Sequence, residues 1–154
     1  MTISDVKDIA TIVVAIVAVG SLAKAVLEYV AQGAQKRAEL FFGLEKRFWE
    51  SPQFREICEL LEDDAPQLST LTFKDKLQFL GFHEEVALAM NSGLIRPEVA
   101  HYMFGYYAIR CLESKEFWKD LEPNTPYWSL FRDFASRMKK IETSFRLDNG
   151  KLRF

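Results

Sequence analysis

The chain has 154 residues, 49% of them apolar and 27% charged, which is one domain's worth of sequence with enough apolar content to bury a core. Few Gly and Pro exclude a disordered or collagen-like chain, and two Cys exclude a disulfide scaffold. A net charge of −2 leaves no global positive field to hold DNA non-specifically.

The residues from Ile9 to Ala23 carry no charge and are nearly all Ile, Val, Ala or Leu. A membrane span needs about 20 such residues. The stretch reaches that length, from Val6 to Leu27, if Lys24 extends its ammonium toward the interface and Tyr29 serves as an interfacial aromatic. The tail before it holds Asp5, Lys7 and Asp8, so the positive start of a cleaved signal peptide is missing. The stretch is apolar on every face, which suits lipid, while a buried helix at an oligomer centre is the competing reading. Lys7 alone precedes the run, whereas Lys24, Lys36, Arg37, Lys46 and Arg47 follow it. The positive-inside rule then expects a single pass with the C-terminal part cytoplasmic. Two unpaired Cys agree with that reducing compartment.

No Pro interrupts the chain between Ser4 and Glu50, so one long helix is expected there, with Leu40, Phe41, Leu44 and Phe48 on one face. Ser51-Pro52 opens a second helix to about Glu62 that buries Phe54, Ile57, Cys58 and Leu61. A polar connection from Asp63 to Leu71 precedes a third helix, Phe73 to Asn91, with Leu77, Leu80, Phe82, Val86 and Ala89 inward and His83 in water. Ser92-Gly93 supplies its stop. Arg96-Pro97 starts a fourth helix toward Leu121, and Thr125-Pro126 caps a fifth through Thr143. No period-two strand is visible. The expected fold is all-α: a tail and transmembrane helix over 1–35, a cytosolic bundle of four or five helices over 36–143, and a polar tail over 144–154. Charge is uneven. Glu39 to Asp64 holds eight acidic and three basic residues, and Arg132 to Phe154 seven basic and three acidic. The basic end suits a phosphate-rich ligand, anionic headgroups or an acidic neighbour, or is simply solvated.

Only His83 and His101 suit acid–base work near neutral pH. Arg96 and His101 have the Arg-x4-His spacing of a class of helical ribonucleases, although Pro97 places Arg96 at a helix start where capping also explains it. His83, Glu84 and Glu85 lack a second cluster to complete a metal site. Ser-x-x-Lys occurs at Ser21 and Ser136 without the partner motifs of that enzyme class, and no Gly-rich phosphate loop is present, so no cofactor is expected. Gly105 inside a helix costs about 1 kcal/mol relative to Ala, which suggests a close approach there. Tyr102, Tyr106 and Arg110 recur at helical spacing, a face suited to stacking bases and gripping phosphate, or to core packing with hydroxyls at its rim.

The strings Gln35-Lys-Arg-Ala-Glu-Leu-Phe-Phe42, Phe48-Trp-Glu-Ser-Pro-Gln-Phe-Arg-Glu56, Phe79-Leu-Gly-Phe-His-Glu-Glu-Val-Ala87, Ser92-Gly-Leu-Ile95 and Phe104-Gly-Tyr-Tyr107 resemble a broad bacterial family of small single-anchor membrane proteins with a cytosolic all-helical domain. The likeness covers most of residues 10–140 and rests on packing motifs. In size and layout the chain also resembles the membrane effectors of type III CRISPR immunity that cyclic tetra-adenylate activates. That resemblance implies an antiviral effector or sensor, acting as a homo-oligomer, with a tetramer matching the ligand's symmetry. Ligand binding would shift the packing of the spans through a small-residue face at Ala15, Ala18 and either Gly20 or Ala23, and perturb the lipid bilayer. The residues expected at such a ligand are Arg96, His101, Tyr106, Arg110 and Lys115. A membrane-tethered scaffold for a protein partner and the Arg96–His101 ribonuclease are the alternatives.

Overall fold

A computed structural model describes residues 3–144, with side chains from Val14 to Thr143 except that of Ala15. The polar tail, with Arg146, Lys151 and Arg153, and the side chains of Asp5, Lys7, Asp8 and Ala15 lie outside the described residues. Every regular element among the described residues is helical, as the sequence pattern expects.

Helix α1 runs from Ile3 to Glu50. The chain forms two compact units, the first ending at Ala38 and the second beginning at Glu39. In the first unit the large apolar side chains stand open: Val17 is 61%, Leu22 67% and Leu27 71% exposed. By length and composition this helix suffices to cross a membrane. Lys24 and Glu28, one turn apart, pair at 3.6 Å, so the apolar stretch carries two opposite charges on one face.

The second unit starts with the last three turns of α1, which bury Phe41, Leu44 and Phe48 as their spacing requires. Ser51 then caps α2 (Pro52–Glu62), its hydroxyl accepting the Phe54 N–H at 3.2 Å. The connection to the next helix contains a 3₁₀ turn, Pro66–Thr70, pinned by the buried Leu68. Thr72 caps α3 (Phe73–Asn91) in the same way, accepting from Asp75 N–H at 3.2 Å. Its end is a Schellman turn. Gly93, at φ +70°, donates to the Met90 carbonyl and Leu94 donates to that of Ala89.

Helix α3 departs from its expected faces. Leu77 is exposed, and His83 is fully buried rather than in water. The reason is that α3 packs on two sides: Phe82 and Phe79 meet Phe48 of α1, while His83 meets Phe131 and Phe134 of the last helix. Its buried arc is therefore wider than the single stripe that spacing suggests.

The expected fourth helix is shorter and less regular than its sequence. It comprises α4 (Pro97–Ala100), a π turn (His101–Gly105) and α5 (Tyr106–Glu113). It stops eight residues before Leu121 because Ser114 turns extended, at φ −63° and ψ 129°. Asp64 holds that break. Its carboxylate accepts the Ser114 hydroxyl and the N–H groups of Lys115 and Glu116, at 3.2 and 3.3 Å for the latter two. Those bonds keep the Asp64 carboxyl below the usual carboxylate range.

A 3₁₀ turn, Pro126–Trp128, leads into α6 (Ser129–Ser144). The Thr125 side chain makes no cap hydrogen bond. The backbone N–H of Phe131 on α6 favours the charged form of the Glu84 carboxyl on α3. Burial nonetheless raises the Glu84 pKa.

Candidate functional site

The segment that carries most of the expected ligand residues is the α4–π–α5 run. Its π turn widens the helix by one residue, a distortion that re-aims everything after it. Gly105 closes the turn. A Cβ there would lie 2.9 Å from Cδ2 of His101 and 3.4 Å from Cβ of Met138 on α6. The close approach expected at Gly105 is therefore helix against helix, with the His101 ring folded into the same space. Gly105→Ala should cost about 1–2 kcal/mol despite the better helix propensity of Ala, because the added methyl must displace the imidazole. His101→Ala in the same chain should recover most of that loss, as urea titration of the single and double variants would show.

Tyr106 and Arg110 lie one turn apart within α5 and share a face. The Arg110 guanidinium sits 5.1 Å from the Tyr106 ring centroid, and its Nη2 donates to the Tyr106 hydroxyl at 2.8 Å. The hydroxyl donates in turn to Glu62 Oε2 at 2.7 Å, and Arg110 Nη1 donates to the Glu62 carbonyl at 3.1 Å. This network raises the Arg110 pKa, chiefly through Tyr106, and fastens α5 to the C-terminal end of α2. Beside it, Tyr107 packs edge-on to Tyr106 at 5.1 Å and to Trp49 of α1 at 6.3 Å. Burial pushes the Tyr107 hydroxyl up to about 12. Trp49, Tyr107, Tyr106 and Arg110 thus form one aromatic surface ending in a cation, with Glu62 set into it. Trp49 and Tyr106 are each a little over 40% exposed.

The other expected residues fall elsewhere. Arg96 is exposed at the N-cap of α4 and its side chain makes no cap bond. His101 is half-buried on the side of α6, where desolvation lowers its pKa against the opposing charge of Glu142. Lys115 is exposed beyond the end of α5 and contributes its backbone N–H to Asp64. The structure therefore brings Tyr106 and Arg110 together and leaves Arg96, His101 and Lys115 apart from them. Tyr102 is exposed within the π turn, which breaks its register with Tyr106.

Glu62, Trp49 and Tyr107 are site residues that spacing does not reveal. Glu62 ends a helix 44 residues before Tyr106, and nothing local links them. Two grooves also open on this unit. One, of about 260 Å³, lies between α3 and α6 and is lined by Met90, Asn91, Asp133, Phe134, Arg137 and Lys140, with Arg137 bonded to Asn91 at 2.7 Å. The other, of about 350 Å³, is lined by Arg47, Gln53, Phe54, Phe82 and Glu85, with Arg47 paired to Glu85 and lying 5.0 Å from the Phe82 centroid.

Both Cys are free and buried. Burial drives the Cys58 thiol up to about 12 and that of Cys111 well above its ordinary value, so neither supplies thiolate at neutral pH. Among the described residues no group of three or more His, Cys, Asp and Glu gathers for a metal. Lys76 is buried with its Nζ donating to the Lys119 carbonyl at 3.2 Å and lying 5.6 Å from the Phe117 centroid. Burial lowers its pKa. No family model, curated protein or solved structure matches the chain.

Proposed function

We propose that the chain is a single-pass protein of the bacterial inner membrane whose helical bundle lies in the cytoplasm and docks a protein partner. The observation that carries this reading is the first unit. Its helix leaves Val14, Ile16, Val17, Val19, Leu22, Val26 and Leu27 open, each more than half exposed. Water would oppose that exposure at roughly 25 cal/mol per Å², and lipid removes the penalty. The excess of Lys and Arg after the apolar run supports the cytoplasmic side for the bundle. The partner-facing surface is the Trp49–Tyr107–Tyr106–Arg110 patch, whose residue types are those enriched at protein interfaces.

A second reading, an antiviral effector that binds cyclic tetra-adenylate as a homo-oligomer, draws support from the Arg110–Tyr106 stack, which offers a ring and a cation to a nucleotide. Glu62 weighs against it. Its carboxylate lies 3.7 Å from the guanidinium, where a polyanionic ligand would have to displace or neutralise it.

Fractionation of cells making the full chain tests the shared part. The chain should pellet with membranes, resist alkaline carbonate and leave in detergent, with the bundle shielded from protease added to spheroplasts. Recovery of the whole chain in a detergent-free supernatant would overturn the membrane reading. Titration of the detergent-solubilised chain with cyclic tetra-adenylate then separates the two functions. Binding abolished by Arg110→Ala supports the effector, and an unchanged signal at low salt supports the docking module.

A further inference from the structure

We propose that a notch on the first unit, formed by Tyr29, Gly33, Lys36 and Arg37, binds the phosphate of an anionic phospholipid. The proposal rests on the membrane reading above and goes beyond it in naming a ligand and a site. These four residues stand at i, i+4, i+7 and i+8, so they share one face of α1. Together with Val30 and Gln32 they line a groove of about 320 Å³. Residue 33, in its lining, is a glycine and adds no side chain to it.

Arg37 does not extend away from the apolar segment. Its Nη1 lies 3.5 Å from where a Gly33 Cβ would stand, so the guanidinium folds back one turn toward the N-terminus and covers the glycine. Helical side chains lean that way, and an arginine stem lying on the helix explains why Arg37 is only half exposed. The fold-back brings the cation about 5 Å nearer the apolar stretch than its own Cα. A span from Val6 to Leu27 measures about 33 Å, enough for a hydrocarbon core of about 30 Å. The headgroup layer on that side is about 5–7 Å deep. Tyr29, about 3 Å past Leu27, lies within it, and the folded-back Arg37 cation, about 10 Å past Leu27, stands just outside its outer face, within reach of a headgroup phosphate.

The chemistry fits one kind of occupant. A guanidinium presents paired donors to phosphate oxygens, Lys36 adds a second positive charge, and the Tyr29 and Val30 walls suit glycerol and the first acyl carbons. The lipid, rather than soluble phosphate, is the occupant because the apolar stretch beside the notch holds it against lipid.

The full chain reconstituted in vesicles of equal parts phosphatidylcholine and phosphatidylglycerol, then extracted in mild detergent, gives the test by mass spectrometry of its retained lipids. Wild type should retain phosphatidylglycerol about five-fold or more over phosphatidylcholine. Arg37→Gln should bring the ratio near parity. Gly33→Leu, which keeps both cations but fills the notch, should do the same. Glycerol phosphate in excess should leave the wild-type ratio unchanged. Retention at parity by wild type, full preference in Gly33→Leu, or loss of the lipid to glycerol phosphate would each overturn the site. An alkaline wash of the same vesicles tells the two failures apart. A chain stripped by the wash sinks the membrane reading itself, whereas one that stays inserted without lipid preference sinks only the notch.

Discussion

Between pH 6.5 and pH 4 the helical bundle should lose about 3 kcal/mol of stability through His83 alone. The imidazole is fully buried. Its Nδ1 lies 2.9 Å from the Phe79 carbonyl, which assigns the proton to Nδ1 and leaves Nε2 unprotonated and without a partner in the core. Around it stand the rings of Phe48 from α1, Phe79 and Phe82 from α3, and Phe131 and Phe134 from α6, with centroids 4.7–6.2 Å away. None of these neighbours can stabilise a positive charge by ionisation. Desolvation therefore lowers the His83 pKa to about 4, the Phe79 carbonyl opposing it only weakly.

The sign follows from where the protons go. In this pH window the unfolded chain binds a proton at His83 and the folded chain does not, so acid favours unfolding. The stabilising difference is complete above about pH 6.5 and is lost as pH falls toward 4. Urea midpoints from pH 7 to pH 4, read by near-ultraviolet circular dichroism of the full chain in detergent, should fall steeply in wild type. His83→Leu keeps the volume and removes the titrating nitrogen, so most of the slope should vanish. An unchanged slope in that variant would refute the assignment. His101 adds to the acid loss in the same direction, since burial lowers its pKa too. Asp64, held below the usual carboxylate range, gives stability that is lost only in stronger acid, and so acts below this window. Glu84, with its pKa raised, works in the opposite sense and gives up stability as pH rises through its folded value.

The misplacement of His83 from sequence shows which features of the fold are local. The start of α2 was legible because Ser51-Pro52 supplies cap and first residue within two positions, and the α3 stop because only Gly93 needs the left-handed φ. The end of α5 was not legible. The groups that terminate it are on Asp64, about fifty residues upstream, and the sequence from Glu113 to Leu121 still looks helical. The inward side of α3 was half legible for a related reason. Spacing identifies one stripe, but α3 packs against two partners, and no single-helix pattern shows the second. At the candidate site the pairing of Tyr106 with Arg110 follows from their i, i+4 spacing. The carboxylate that occupies both comes from Glu62, and only the tertiary fold brings it there.

Phe48→Ala should be the most damaging single substitution in the bundle, at about 3–5 kcal/mol. Phe48 is 1% exposed, and its ring meets others from several elements: Phe54 of α2, Phe79 and Phe82 of α3, Phe104 in the π turn and Tyr107 of α5, all within 6.3 Å. Truncation removes the edge-on and tilted ring contacts together with the apolar area, and leaves a cavity that rings fixed by other contacts cannot collapse to fill. A domain of this size has about 5–15 kcal/mol in all, so the variant should be partly unfolded at 37 °C. Phe42 is the control. It lies six residues earlier on α1 and is 54% exposed, so Phe42→Ala should change stability by no more than about 0.5 kcal/mol. The contrast has a structural corollary. Phe48 belongs to the helix that also carries the apolar stretch, so the last three turns of α1 should resist amide exchange as long as the bundle core does and should lose that protection in Phe48→Ala. Fast exchange from Phe41 to Phe48 in wild type, with the rest of the bundle protected, would mean that α1 only abuts the core and that the aromatic cluster is held by α2 to α6 without it.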